Sequence, residues 1–249
     1  MHPPFMLENV TVVMVTYNQL EMFRTALFSM MTYSDFPIKT IVMNNNSNPA
    51  YISAVDKAAA QVAGGVVQVV HLKENVRDTG AYNSALPLVK TKYVAMMSDD
   101  IVFIPGCGIR FWEDMLRVLQ HPVVAAVGPG NATTFYTQHA CAWELPYVIE
   151  VPFLHGFFVL FKTAVYKSIG GYDTKVLRGP DLDLSYRLTQ AGYKLVVVRT
   201  SFVHHVGGAT YKELLPDYDK MDATKDAAFN SRWPAVDTWD LFNVIAWNP

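Results

Sequence analysis

The sequence predicts an α/β fold: a mostly parallel central sheet flanked by helices. Three observations predict it. Strand-like and helix-like stretches alternate through the first hundred residues, as right-handed βαβ units require. The strand-like stretches are almost uniformly apolar, as in strands buried on both faces. The first two also stop abruptly in residues bearing amides and hydroxyls, and the carboxyl ends of strands are where an open sheet builds its ligand crevice.

Residues 10–15 are β-branched and apolar and end at Thr16, Tyr17 and Asn18. Residues 20–33 place Phe23, Leu27, Met30 and Met31 at helical spacing. A second strand over 38–43 halts at Asn44, Asn45, Asn46 and Ser47. An Ala-rich helix over 50–62, a strand over 66–71, a helix over 79–89 and a strand over 93–97 follow. Beyond these, 108–119 reads as an amphipathic helix, 123–127 as a short strand, and the Gly-Pro-Gly at 128–130 as a turn. Residues 131–146 are polar and aromatic, suited to a loop over a site. A strand over 157–161, a helix over 163–169 stopped by Gly170 and Gly171, a helix over 181–191 stopped by Gly192, and a strand over 195–198 leading to His204 and His205 complete the pattern.

Bulk properties bound the function. With 249 residues, the chain fits one large domain, 1–249, with about 1–104 and 105–249 as its halves. Half the residues are apolar, and the net charge of −2 argues against a nucleic-acid polymer as partner. Two cysteines, Cys107 and Cys141, are too few for a disulfide framework or a structural zinc site and fit reduced thiols in a cytoplasmic protein. The N-terminus lacks the basic region of a signal peptide, so the Asn131-Ala132-Thr133 sequon reads as chance. The longest apolar run, 151–161, is broken by His155 and Gly156 and is too short to span a bilayer. Loose attachment to a membrane surface stays compatible with this composition. Neither a GxGxxG nor a P-loop sequence is present.

The most informative stretch is YVAMMSDDIVFIP, 93–105, where an apolar strand runs into Asp99 and Asp100. Acids at the end of a buried strand are costly unless a cation meets them. A metal site serving an anionic substrate is the economical reading.

The order of VVMVTYNQ, MNNNS, ENVRDTGAYNSAL, MMSDDIVFIPG, FFVLFKTAVYKSIGGYD, GPDLDLSYRLTQAGYKLVVV and HHVGG resembles the family-2 inverting glycosyltransferases with the GT-A fold, of the rhamnosyltransferase-like, polysaccharide-biosynthesis type, over roughly residues 10–208. No single motif carries the resemblance; seven in order do. It implies transfer of a sugar from a nucleoside-diphosphate donor to a hydroxyl acceptor such as a glycan, with Mg²⁺ or Mn²⁺ on the diphosphate. The first half would hold the nucleotide sugar and the second the acceptor.

By this resemblance, Asp100 is the metal ligand, Asp99 meets the ribose hydroxyls, and His205 supplies a further metal or phosphate contact. Hard divalent cations take one or two carboxylates plus substrate phosphates. Ser98 replaces the first acid of the longer form of the motif. His204 would point the opposite way by strand alternation. Asp181 is the base for the acceptor hydroxyl, with Asp183 beside it as an orienting group, although Asp also caps helices without any catalytic role. The family's usual Glu-Asp pair is broken by Pro180. Thr16, Tyr17 and Asn18 hold the base of the donor. Asn44 stands where many relatives have Asp, and a side-chain amide offers the acceptor–donor pair that uracil or thymine wants, favouring a UDP- or dTDP-sugar. Asn75, Arg77, Gly80 and Asn83 match the loop and helix after the third strand, with Arg77 able to counter phosphate charge. Trp233, Trp239 and Trp247 in the tail fit packing better than sugar stacking. Two rivals remain: a metallohydrolase using Asp99, Asp100, His204 and His205, and a non-catalytic nucleotide- or glycan-binding module on the same fold.

Overall fold

The computed structural model describes residues 4–131, 138, 146–177, 179–207, 231–233 and 245–246. Most of the expected loop at 131–146, together with Trp239 and Trp247, lies outside the described residues.

Strands β1 (Val10–Thr16), β2 (Lys39–Asn44), β3 (Val67–His71) and β4 (Tyr93–Ser98) alternate with helices α1 (Leu20–Tyr33), α2 (Pro49–Ala60) and α3 (Arg77–Ala85). After them come β5 (Ile101–Phe103), α4 (Arg110–Leu119), β6 (Val124–Gly130), β7 (Val148–Val151), β8 (Phe158–Lys162), α5 (Thr163–Ser168), α6 (Pro180–Gln190), β9 (Lys194–His205) and β10 (Ile245–Ala246). The strands form one sheet in the order β10-β7-β9-β6-β8-β4-β1-β2-β3, with β5 off this path on β9. β3, β2, β1 and β4 are parallel neighbours, and β6 and β9 pair in parallel; β8 and β7 run antiparallel to their partners.

Both faces of the sheet are covered, which explains the near-continuous apolar strands. Val10, Val12 and Met14 of β1 and Tyr93, Ala95 and Met97 of β4 join α1 and α4 in one core. Val13, Val15, Val94 and Met96 join α3, α5 and α6 in the other. Strand alternation therefore divides β1 and β4 between two cores. The first core contains an aromatic cluster of Phe103, Phe111, Trp112 and Phe158, with ring centroids 4.8–6.2 Å apart, and the Trp112 indole N–H donates to Ser34 at 2.9 Å.

The structure departs from the sequence reading in particular places. Gly128, Pro129 and Gly130 end β6 rather than forming a turn. The ladder to β9 shifts register between Pro129 and Gly130, and bulges are where a strand tolerates proline. A side chain at Gly128 would collide with Gln138, whose amide lies 2.7 Å from the position of the missing Cβ. The α3 helix begins earlier and ends earlier than expected, before Pro87. β5 was not anticipated, and β9 continues well past Val198 to His205.

Candidate active site

The sheet's carboxyl edge gathers the first group of residues. Thr16 of β1 aligns with Asn44 of β2, Asn44 with His71 of β3, and Val15 with Ser98 of β4. Asparagine amides sew the loops leaving these strands together. Asn18 adopts a left-handed conformation (φ 54°), which Asn tolerates better than most residues. Its backbone N–H donates to the Ser47 hydroxyl, and its side chain accepts from the Asn48 N–H. Asn45 donates to Asn75 at 3.1 Å and accepts from the Val76 N–H.

Asn44 is buried with both ends of its amide engaged: the oxygen accepts from the Ser47 N–H at 3.1 Å, and the nitrogen faces His71 Nδ1 at 3.0 Å. The opposite ring nitrogen of His71 lies 3.0 Å from Asp56. Asn44 is thus held inside the scaffold rather than turned toward a base, and the amide argument for uracil or thymine loses its footing.

Asp99 and Asp100 follow β4 on a tight turn and live in different surroundings. Asp99 is 6 % exposed. Burial pushes its carboxyl up to about 7, against the Thr16 hydroxyl and the Tyr17 backbone N–H that bond to it, with the charge of Asp100 adding to the rise. Its Oδ2 is buried without a hydrogen-bond partner among the described residues. A buried oxygen left unpaired is uncommon in folded proteins. Asp100 is also largely buried, which raises its pKa, but His205 and the Ser98 hydroxyl more than reverse this and hold it below the ordinary carboxylate value. His205 Nε2 lies 3.2 Å from Asp100 Oδ2, and the Ser98 hydroxyl donates to Oδ1 at 2.5 Å.

The contact between Asp100 and His205 depends on β5. This three-residue strand pairs antiparallel with the end of β9, setting Ile101 opposite His205 and Phe103 opposite Val203. The Val206 N–H donates to the Asp100 carbonyl at 2.9 Å. His204 takes the alternate direction and is exposed, as strand alternation anticipates.

Asp99 gives a direct prediction about stability. An acid raised in the folded state from 3.8 to about 7 binds its proton more tightly there than in the unfolded chain. Its contribution favours folding fully below pH ~4 and is lost as pH rises toward ~7, by up to about 4 kcal/mol. Asp99→Asn is therefore expected to raise the urea midpoint of the ligand-free protein at about pH 8 and leave it nearly unchanged at about pH 4.5. Equal effects at both pH values would refute the raised carboxyl.

The second group sits on α6. Gly179 enters the helix with φ 58° and Pro180 occupies the first turn, a favoured place for proline. Asp181 follows. Its Oδ1 accepts from the Leu182 N–H at 3.0 Å, its Oδ2 accepts from the Gly156 N–H at 3.3 Å, and Oδ2 lies 3.9 Å from His155 Nδ1. The 153–157 segment joins the two groups. The Leu154 N–H donates to Ser185 on α6, while the Phe157 carbonyl accepts from the Ser98 N–H, and the Phe157 ring stacks on His205 at 4.7 Å. One short segment thus touches both the Asp100–His205 pair and Asp181.

Asp183 is held differently from Asp181. It is fully buried. Its Oδ2 accepts from Arg187 at 2.8 Å, and its Oδ1 receives the Trp233 indole at 2.9 Å and Arg232 Nε at 2.9 Å. Both oxygens are committed to cations and an indole, so Asp183 anchors Arg232 and Trp233 to α6. Arg232 also pairs with Asp173, and Trp233 packs on Tyr186, as the packing reading of Trp233 anticipates.

Arg77, Gly80 and Asn83 likewise face the scaffold. The Arg77 guanidinium donates to the carbonyls of Thr174, Val176 and Leu177 at 3.1–3.4 Å, rather than waiting for phosphate. Asn83 clamps the backbone of Tyr172, donating to its carbonyl at 2.7 Å and accepting from its N–H at 3.0 Å. Gly80 lets α3 approach Val76, whose Cβ would stand 2.9 Å from an added side chain. These residues fix the loop that leads into α6. The sequence reading missed His155; the signal for it was a lone imidazole interrupting an otherwise apolar run.

Among the described residues, no group of three or more acidic, histidine or cysteine side chains is placed to hold a metal. Asp100 and His205 offer one oxygen and one nitrogen, which suits a divalent cation completing its shell with substrate oxygens and water. It does not suit the closed ligand set of a structural zinc site.

Glycosyl transferase family 2 matches residues 11–170. No curated protein matches the sequence. Solved structures share the fold. A mannosyltransferase, PcManGT from Pyrobaculum calidifontis, in complex with GDP-Man and Mn²⁺, superposes with a TM-score of 0.67 at 18% identity, over 94% of this chain and 72% of that one. GalNAc-T7 with UDP, GalNAc and Mn²⁺ gives 0.65 at 13% identity over 79% of this chain, which spans only 43% of that protein. TarS from S. aureus gives 0.62 at 14% identity, over 88% and 69%. With more than half of its length matched by the family and its strand order on the GT-A plan, the chain belongs to glycosyl transferase family 2 and is a glycosyltransferase.

Proposed function

We propose that this enzyme transfers a sugar, with inversion and with the help of a divalent metal, from a nucleoside-diphosphate donor to an acceptor hydroxyl such as that of a glycan. The observation that carries this reading is the 153–157 segment. It abuts the Asp100–His205 pair at the end of β4 and Asp181 at the start of α6. A donor site and a base on opposite sides of one crevice are what in-line inversion demands.

Asp100 and His205 would hold Mg²⁺ or Mn²⁺, which when bound neutralises charge on the departing diphosphate. The unpartnered Asp99 oxygen accepts from the donor's ribose hydroxyls. Thr16 and the Tyr17 amide keep that carboxyl in place, and the Tyr17 ring would stack on the base. Asp181 takes the acceptor's proton as the hydroxyl attacks the anomeric carbon. A metallohydrolase would need more protein ligands than the described residues gather, which disfavours that rival. No helix of the described residues is long and apolar enough to cross a membrane.

The Asn44 amide on which a UDP- or dTDP-sugar rests is engaged within the scaffold, so the donor nucleotide is a matter for direct measurement. A thermal-shift screen of UDP, GDP and dTDP with and without Mn²⁺ provides it. A nucleotide at a hundred times its Kd stabilises the fold by about 2.7 kcal/mol. One nucleotide is expected to raise Tm by several degrees only with Mn²⁺, and Asp100→Ala is expected to abolish the metal's part of that shift. A shift independent of metal in the wild type would overturn the assignment of Asp100.

A further inference from the structure

We propose that His155 is a positioning residue for Asp181, holding the base's Oδ2 on the acceptor side of the crevice through its Nδ1–H. The inference rests on the reading of Asp181 as the base and adds to it a residue outside the family motifs.

His155 is fixed from several sides. Its backbone N–H donates to the buried Gln138 side chain at 2.7 Å, and the other end of that amide donates to the Pro129 carbonyl at 2.9 Å. Its ring meets Phe153 edge-on, with centroids 4.9 Å apart, and lies nearly parallel to Phe157 at 6.5 Å. Phe157 in turn stacks on His205. A ring held this way has little rotational freedom, which preorganises whatever it contacts. Among its neighbours is Asp181: Nδ1 is the ring atom that faces Oδ2, at 3.9 Å. That is too long for a hydrogen bond. Catalytic contacts are often long in the absence of substrate and tighten when it binds.

The same carboxylate already accepts from two backbone amides, Leu182 and Gly156. Those amides fix where the carboxylate sits, and a third donor at Nδ1 would fix which way Oδ2 points. In the Nδ1–H tautomer the basic ring nitrogen is Nε2, which is enclosed by protein, so the imidazole is a poor candidate for the base itself. The row from Asp100 through His205, Phe157 and His155 to Asp181 ties the orientation of the base to the structure that holds the donor end.

Two measurements test this. In ¹⁵N spectra of the intact protein near neutral pH, with His155→Gln used to assign the signal, His155 is expected as the Nδ1–H tautomer, and Asp181→Asn is expected to perturb that signal. An Nε2–H tautomer, or a signal indifferent to Asp181→Asn, overturns the proposal whether or not Asp181 proves to be the base. The second measurement is release of nucleoside diphosphate from UDP-, GDP- and dTDP-hexoses with Mn²⁺ and methyl hexosides as acceptors. His155→Ala is expected to lower kcat about 10- to 100-fold with the nucleotide-induced thermal shift unchanged. His155→Asn, whose amide nitrogen can stand near Nδ1, is expected to restore most of the loss, and His155→Gln, whose amide reaches toward Nε2, is not. In an Asp181→Asn background, His155→Ala is expected to add nothing. Equal rescue by Asn and Gln, or full additivity with Asp181→Asn, counts against positioning. Undiminished activity of Asp181→Asn alone counts against the base reading instead.

Discussion

Asp181→Asn is expected to cut kcat for sugar transfer by about 10²- to 10⁴-fold, the range general-base assistance supplies. The substitution keeps the size of the side chain and one oxygen for the Leu182 or Gly156 amide, so the fold and the nucleotide-and-metal thermal shift should survive. The measurement is nucleotide release with and without acceptor, alongside Tm with and without Mn²⁺ and nucleotide. Retention of full activity would place the base elsewhere. A wild-type protein that binds nucleotide but turns over no donor would favour the binding-module alternative for its working role.

The second large effect concerns stability at the neighbouring acid. Removing the Asp183 carboxylate leaves Arg187 and Arg232 facing one another without the anion between them. Breaking a buried charge pair by deleting one partner costs about 3–5 kcal/mol. Arg232 is about a third exposed, so solvent screens part of the penalty and the lower end of that range applies. Asp183→Ala is therefore expected to destabilise the protein by about 3 kcal/mol and lower Tm by on the order of 10 °C. Arg232→Ala, which leaves the buried Asp183–Arg187 pair intact, should cost roughly 1 kcal/mol. If Asp183→Ala unfolded at the wild-type temperature yet lost transfer, Asp183 would have to be returned to the reaction.

These two acids show what local pattern can and cannot say. Two positions apart on a helix is about 200° of rotation, so the sequence places Asp181 and Asp183 on nearly opposite faces. Which face meets the crevice is set by the partners of α6: Arg232 and Trp233 on one side and the 153–157 segment on the other. The tail's own sequence carried no signal for that docking. The amides of Asn44, Asn45 and Asn75 tell a similar story. Their clustering at strand ends was legible, but an amide serves a ligand and a loop equally well, and only their partners show that they sew loops together. β5 escaped notice because three apolar residues after a turn have no period of their own.

The sequence by itself determined the α/β alternation, the double-sided burial of β1, β2 and β4, and the placing of Asp99 and Asp100 at a strand's carboxyl end, because periodicity and composition report how each residue meets water. The tertiary structure decided that β9 bends back onto β5 to lay His205 against Asp100, that Arg77 and Asn83 brace a loop, and that His155 stands between the two ends of the site. Those pairings join residues far apart in the chain. Their free energy comes from the partner that packing supplies, and no local stretch of sequence contains it.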